Sequence, residues 1–201
     1  MRPYRTTIVT FLCVLCGAAV KTTRMDAQSL PHVVIRTSLG EIEIEVDSVH
    51  APKTAANFLR YVDLGFYGGF GRFHRTVRAD NQQGEKIKIA VIQAGLEPYK
   101  ARAYPPIPLE TTKTTGLRHR DGTVSMARTA PNSATSDFFI CIGDQPALDY
   151  GGKRNPDGQG FAAFGRVVRG TGVVQKIQQA PAKGETLTPE IPFLSAARMR
   201  R

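Results

Sequence analysis

Tryptophan is missing from this 201-residue chain, and cysteine nearly so. Of its three cysteines, Cys13 and Cys16 lie near the start, which leaves Cys141 alone in the apolar run FFICI (138–142). One thiol forms no intramolecular disulfide, and no grouping of His and Cys has metal-ligand spacing, so the fold has to be held by its core. Inside an apolar strand such a cysteine behaves as a small hydrophobe. Long apolar runs are absent too. The stretch over residues 8–16 is well short of the roughly 20 residues that cross a bilayer. Acid is in deficit: 17 Asp and Glu face 27 Lys and Arg, a formal net charge of +10. That sign attracts acidic surfaces, nucleic acid and anionic lipid. The basic residues are scattered rather than gathered on one run, so the surplus reads as a solvated surface and no nucleic-acid partner is expected. No internal repeat is evident.

The N-terminus has a composition of its own. Arg2 and Arg5 precede the apolar stretch, and Gly17-Ala18-Ala19 follows it. A basic start, a short apolar run and a small-residue site make a signal peptide over residues 1–19 and a secreted or periplasmic protein. Cleavage as late as residue 27 is the weaker alternative, because Met25 is not small. Residues 20–31 read as a flexible leader and 198–201 as a basic tail; once the signal is removed, no integral membrane span is expected.

From His32 the pattern has period two. Val33, Ile35, Ile42, Ile44 and Val46 alternate with Arg36, Glu41, Glu43 and Glu45 around Ser38-Leu39-Gly40, which is a hairpin with one wet face. Pro52 then suits a first helical turn, and Ala55, Phe58, Leu59 and Val62 share one face of a helix that Gly65 stops. A second helix is expected over 171–178. Strands are expected at the apolar runs 87–92, 123–126, 138–142 and 161–168, with a last one over 191–197. The alternation of Lys86, Ile87, Lys88 and Ile89 after Asn81-Gln82-Gln83-Gly84 predicts a hairpin over 78–89. Residues 104–108 and 149–160 read as irregular connections. Many short antiparallel strands with two helices make a mainly β fold, a closed barrel whose open ends are capped by the helices.

Six segments carry a resemblance. APKTAANFLRYVDLGFY (51–67), FHRTV (73–77), VIQAG (91–95), DGTVSMA (121–127), SDFFICIGDQPALD (136–149) and FAAFGRVVRG (161–170) resemble, in that order, the cyclophilin family of peptidyl-prolyl cis-trans isomerases. The resemblance spans residues 32–197. It implies an eight-stranded antiparallel barrel capped by two α-helices, and acceleration of X-Pro isomerisation during protein folding. Implied partners are proline-containing unfolded or partly folded polypeptides, met by a monomer that needs no cofactor and no metal. Arg75 and Gln93 stand at the catalytic positions. Phe139 and Leu148 stand at apolar substrate positions, and Val91, Ala127, Arg128, Asp137 and Phe161 at the others that line the groove.

The departures from the family pattern gather at that groove. Residues 78–89 are an insert; Ala90 and Val91 replace a Phe and a Met; Ala147 stands for an aromatic, Phe161 for a His, Asp137 for a Gln and Arg128 for an Asn. A lost aromatic contact weakens such a site by about 1–3 kcal/mol, so a wider pocket with reduced activity is expected. The runner-up reading is a catalytically weak module that binds proline-containing segments; a binder of nucleic acid or acidic surfaces rests on net charge alone. Asp137 is expected to face Arg75, either fixing its guanidinium or blunting it, with Arg128 as a second partner for Asp137. His74 is expected on the strand face opposite Arg75 in a structural role. His32, His50 and His119 have no acidic partner recognisable in the sequence and are assigned no role.

Overall fold

The computed structural model describes residues 29–97 and 103–199. The expected signal peptide, residues 20–28 of the leader and residues 200–201 of the tail lie outside the described residues. β1 (His32–Thr37) and β2 (Gly40–Val46) form the expected hairpin, with Val33, Ile35, Ile42, Ile44 and Val46 fully buried. The opposite face is a ladder of ion pairs: Arg36 to Glu41 at 2.7 Å, Arg169 to Glu43 at 3.1 Å and Arg166 to Glu45 at 2.8 Å.

α1 (Pro52–Asp63) begins at its proline and has no side-chain cap from Ala51. The Glu110 carboxylate supplies one from elsewhere in the chain. It accepts the backbone N–H of Lys53 at 3.2 Å and of Thr54 at 2.7 Å, and the Thr54 hydroxyl at 2.6 Å. Phe58 projects from this helix into the core, 5.0–5.5 Å from the rings of Tyr67, Phe138 and Phe164. Gly65, in the left-handed region at φ 73°, turns the chain into the short α2 (Phe66–Phe70). Neither α2 nor α3 (Thr112–Thr115) was expected, since Gly-Gly and a run of threonines are poor helix formers. α4 (Thr171–Gln178) lies where the periodicity predicts it.

The remaining strands are β3 (Gly71–Val77), β4 (Val91–Leu96), β5 (Thr123–Met126), β6 (Phe138–Cys141), β7 (Ala162–Arg169), β8 (Ala182–Lys183), β9 (Thr186–Pro192) and β10 (Ser195–Arg198). All ten make one antiparallel sheet in the order β10-β1-β2-β7-β5-β6-β4-β3-β9-β8. The single last strand expected over 191–197 is two. A bend at Phe193 and Leu194 lets this stretch pair first with β3 and then with β1, with Phe193 N–H donating to Gly71 O and Leu194 N–H to Arg36 O, both at 2.8 Å. No helix among the described residues is long and apolar enough to cross a membrane.

The hairpin expected over 78–89 does not form, and the strand expected over 87–92 starts only at Val91. Gln82 is the reason. Its buried amide donates to Arg78 O and Ile89 O at 2.7 Å each and accepts the Ile89 N–H at 3.1 Å, so one side chain replaces a cross-strand ladder. Lys86 and Lys88 stay exposed and Ile89 packs inside, as the alternation requires. Removing the cap of α1 is a clean stability test: Glu110→Ala should lower the free energy of unfolding by about 1–2 kcal/mol, read from urea midpoints at constant m.

Candidate active site

β3 and β4 pair with Arg75 directly opposite Gln93. Strict alternation would send Arg75 into the core beside Phe73, two residues earlier. The register instead shifts between Phe73 and Arg75, leaving His74 as the extra residue of a β-bulge. Phe73 thus faces the main core opposite Ala94, whereas Arg75 joins Gln93 on the other face. The pairing continues across the sheet from Gln93 to Phe139 and from Phe139 to Ser125, so one cross-strand row carries Arg75, Gln93, Phe139 and Ser125. The next row carries Val77, Val91 and Cys141.

This face opens into a groove of about 1100 Å³. Its polar end is a chain of contacts. Arg75 Nη1 donates to Gln93 Oε1 at 2.9 Å, and Gln93 Nε2 donates to Asp137 Oδ2 at 3.3 Å. On the far edge of the guanidinium, Nε and Nη2 donate to Glu185 Oε2 at 2.8 and 2.5 Å. The apolar end is a small cluster in which Phe139, Val91, Ile89 and Leu148 pack with Ala127 and Phe161. Phe139 and Phe161 meet edge to face at 5.2 Å. Tyr104, Pro105, Pro106, Thr129, Ser133 and Thr135 line the rest of the groove. Arg75, Gln93, Phe139, Val91, Ala127, Arg128, Asp137 and Phe161 therefore lie around one space. Leu148 supports that space from beneath, fully buried, rather than lining it.

Four expectations are corrected. Asp137 does not reach Arg75, because Gln93 lies between them; the carboxylate on Arg75 belongs to Glu185. Arg128 pairs with Asp157 at 2.7 and 2.9 Å and donates through Nε to Gly160 O, which places its guanidinium over the Phe161 ring instead of near Asp137. The bulge brings His74 round to Asp137, with Nε2 at 3.8 Å from Oδ2. Acidic partners exist for the other histidines: Glu43 for His32, Asp47 for His50 and Asp149 for His119. His119 also reaches Ser125 Oγ at 2.9 Å and stacks on Phe139 at 5.9 Å. The order Asp, His, Ser is that of hydrolytic triads, but Ser125 is fully buried, so this is a bracket behind the groove and not a nucleophile within it. Glu185 carried no sequence signal, being separated from Arg75 by 110 residues and by an unreadable strand register.

Two side chains at the groove owe their room to local design. A Cβ on Gly95 would lie 2.0 Å from Asp137 Oδ1, so only glycine lets the carboxylate sit against β4. Arg154 donates to Ile87 O at 2.6 Å and pairs with Glu85 at 3.1 Å, tying the 78–89 insert to the 149–160 loop beside the apolar end.

Comparisons with known proteins agree with this geometry. The family model for cyclophilin type peptidyl-prolyl cis-trans isomerases matches residues 32–197. The chain is 38% identical over 154 residues to peptidyl-prolyl cis-trans isomerase A of Dickeya dadantii, covering 76% of this chain and 74% of that one. It is 34% identical over 161 residues to peptidyl-prolyl cis-trans isomerase B of Escherichia coli, covering 80% and 92%. A cyclophilin type isomerase from Cryptosporidium parvum superposes with a TM-score of 0.67 over 86% of this chain and 99% of that one; at 22% identity this likeness concerns the fold alone.

Burial shifts both partners of the His74 and Asp137 contact toward their neutral forms. Desolvation holds His74 below its ordinary 6.5, with Arg72 and Arg75 adding to the effect and the Asp137 and Glu190 carboxylates opposing it. Desolvation likewise raises Asp137 above its ordinary 3.8, against the pull of His74, Gln93, Ser136 and Arg72. Below pH 6.5 the unfolded chain takes up a proton that the folded His74 resists, so stability must fall with falling pH from there through the lowered folded value. His74→Asn should flatten that slope on the acid side of the ordinary histidine value of 6.5, measured as urea midpoints over a pH series. An unchanged slope would assign it to other groups.

Proposed function

The chain belongs to the cyclophilin type peptidyl-prolyl cis-trans isomerase family and catalyses X-Pro isomerisation, and from that premise we propose that Arg75 stabilises the twisted amide. The observation that carries this is the guanidinium held at the mouth of an apolar groove by partners on both edges. Three of its N–H groups are taken by Glu185 and Gln93, and two remain for a ligand. No bond is made or broken in the reaction. The barrier, about 18–20 kcal/mol, is the loss of amide resonance. Twisting the C–N bond localises a lone pair on the proline nitrogen, and a donor aimed there gains its hydrogen bond only in the twisted state. Gln93 holds the Nη1 edge of the fork. Asp137 takes the Gln93 amide N–H, which obliges the Gln93 oxygen to face Arg75; it acts on the arginine through Gln93.

The apolar end suits the proline ring, which has no N–H to satisfy. Phe139 forms its floor, with Val91, Ala127 and Phe161 at the sides and Leu148 beneath. Arg128, locked over Phe161, borders the substrate backbone. Ala90 and Val91 at the family's Phe and Met positions, and Ala147 at its aromatic position, support a looser hold on the ring and a reduced turnover. Proline-containing unfolded or partly folded polypeptides are the substrates, engaged by a monomer. The bent stretch 186–198, paired at one end with β3 and at the other with β1, supports closure of the sheet into a barrel. The basic start, apolar run and Gly17-Ala18-Ala19 support export and a mature domain over 32–197 after a signal and a leader.

In a proline-tetrapeptide assay, Arg75→Ala should lower kcat by about two decades, roughly 3 kcal/mol, while KM changes far less. A fully active variant would reduce Arg75 to a surface residue. N-terminal sequencing of the exported protein should begin at Val20; an intact Met1 in the cytosolic fraction would refute export.

A further inference from the structure

We propose that Glu185 is the positioning residue for the Arg75 fork, and that Asn81 of the 78–89 insert holds the turn that carries it. This rests on the role given to Arg75 above. An arginine side chain has several rotatable bonds, and Gln93 grips only its Nη1 edge. The orientation of the two uncommitted N–H groups is fixed when the opposite edge is gripped as well. Glu185 does this with a single atom: Oε2 accepts both Nε and Nη2, at 2.8 and 2.5 Å. The pair is no loose surface contact, since the Glu185 side chain is only 25% exposed.

Glu185 is itself anchored. It follows Gly184, which turns the chain at φ 59° between β8 and β9, and its carbonyl accepts the Thr76 N–H at 2.8 Å, immediately beside the Arg75 and Thr186 register pair. Asn81 fastens the same turn from outside. Its Nδ2 donates to Gly184 O at 3.0 Å and to Thr76 O at 2.9 Å, while its Oδ1 accepts the Arg78 N–H at 2.7 Å. The insert thus reaches back across the end of β3 and ties the Glu185 turn to the strand that bears Arg75.

Because one oxygen takes both bonds, a neutral amide oxygen can replace it, and charge separates from geometry. Glu185→Ala should lower kcat about tenfold with KM within about twofold, whereas Glu185→Gln should keep at least about a third of kcat. In an Arg75→Ala background, Glu185→Ala should have no further effect, because positioning acts only through the arginine. Asn81→Ala should show the same dependence on Arg75 with a smaller loss, and it decides the matter if Glu185→Ala fails to fold. A wild-type kcat for Glu185→Ala, or an equal loss with Arg75 absent, overturns the proposal. A Glu185→Gln loss as large as that of alanine transfers the effect to charge and overturns it too. Full activity of Arg75→Ala alone sinks the role of the arginine itself; a slow Arg75→Ala beside a fast Glu185→Ala sinks only the positioning by Glu185.

Discussion

The extra residue in β3 sets the direction in which Arg75 leaves the sheet, and the rest of the groove is built to that choice. Phe73 belongs to the core and pairs with Ala94, while Arg75, two positions on, pairs with Gln93 on the opposite face. Only a bulge reconciles the two. A regular strand would have to bury a guanidinium among Phe73, Phe138 and Phe193, where desolvation would be severe. With the bulge, the cation emerges beside Gln93 and within reach of Glu185, and the cross-strand row to Phe139 aligns a polar end with an apolar floor.

Every ionic group around the groove is held by a partner that does not itself enter the apolar end. Glu185 balances Arg75, Asp157 balances Arg128, and Glu85 meets Arg154. Asp137 is the exception, since its nearest cation is a histidine that burial keeps toward neutrality. Its carboxylate is tolerated because Gly95 leaves it space and because Gln93 and Ser136 donate to it. The same packing that shapes the groove floor excludes water from the Cys141 thiol, whose ionisation burial suppresses.

Where the strands are regular, the sequence announces them. Alternation located β1 and β2 and the faces they bury, continuous apolar runs located β5 and β6, which are buried throughout, and a 3.6-residue period located α1 and α4. The groove residues were found through motif resemblance rather than periodicity, because a one-residue bulge erases the alternation where it matters most. The insert misled for a related reason: Lys86 to Ile89 alternate as a strand would, but the buried amide of Gln82 satisfies the backbone that a partner strand should have met. Glu185 and Glu110 were illegible because each acts on a site far away in the chain, and nothing local marks an acid that will cap a helix or grip an arginine.

The bend at Phe193 and Leu194 has a consequence for how the molecule is made. β1 and β3 enter the sheet early in the chain, yet each waits for residues 186–198 to cover one of its edges. A ribosome delivers those residues last. Until then the nascent chain presents two uncovered strand edges, rows of unpaired N–H and C=O groups that invite pairing with another chain. The final strands thus arrive as late edge covers, and a peptidyl-prolyl isomerase has its own exposed interval between the synthesis of β3 and the pairing of β9 and β10.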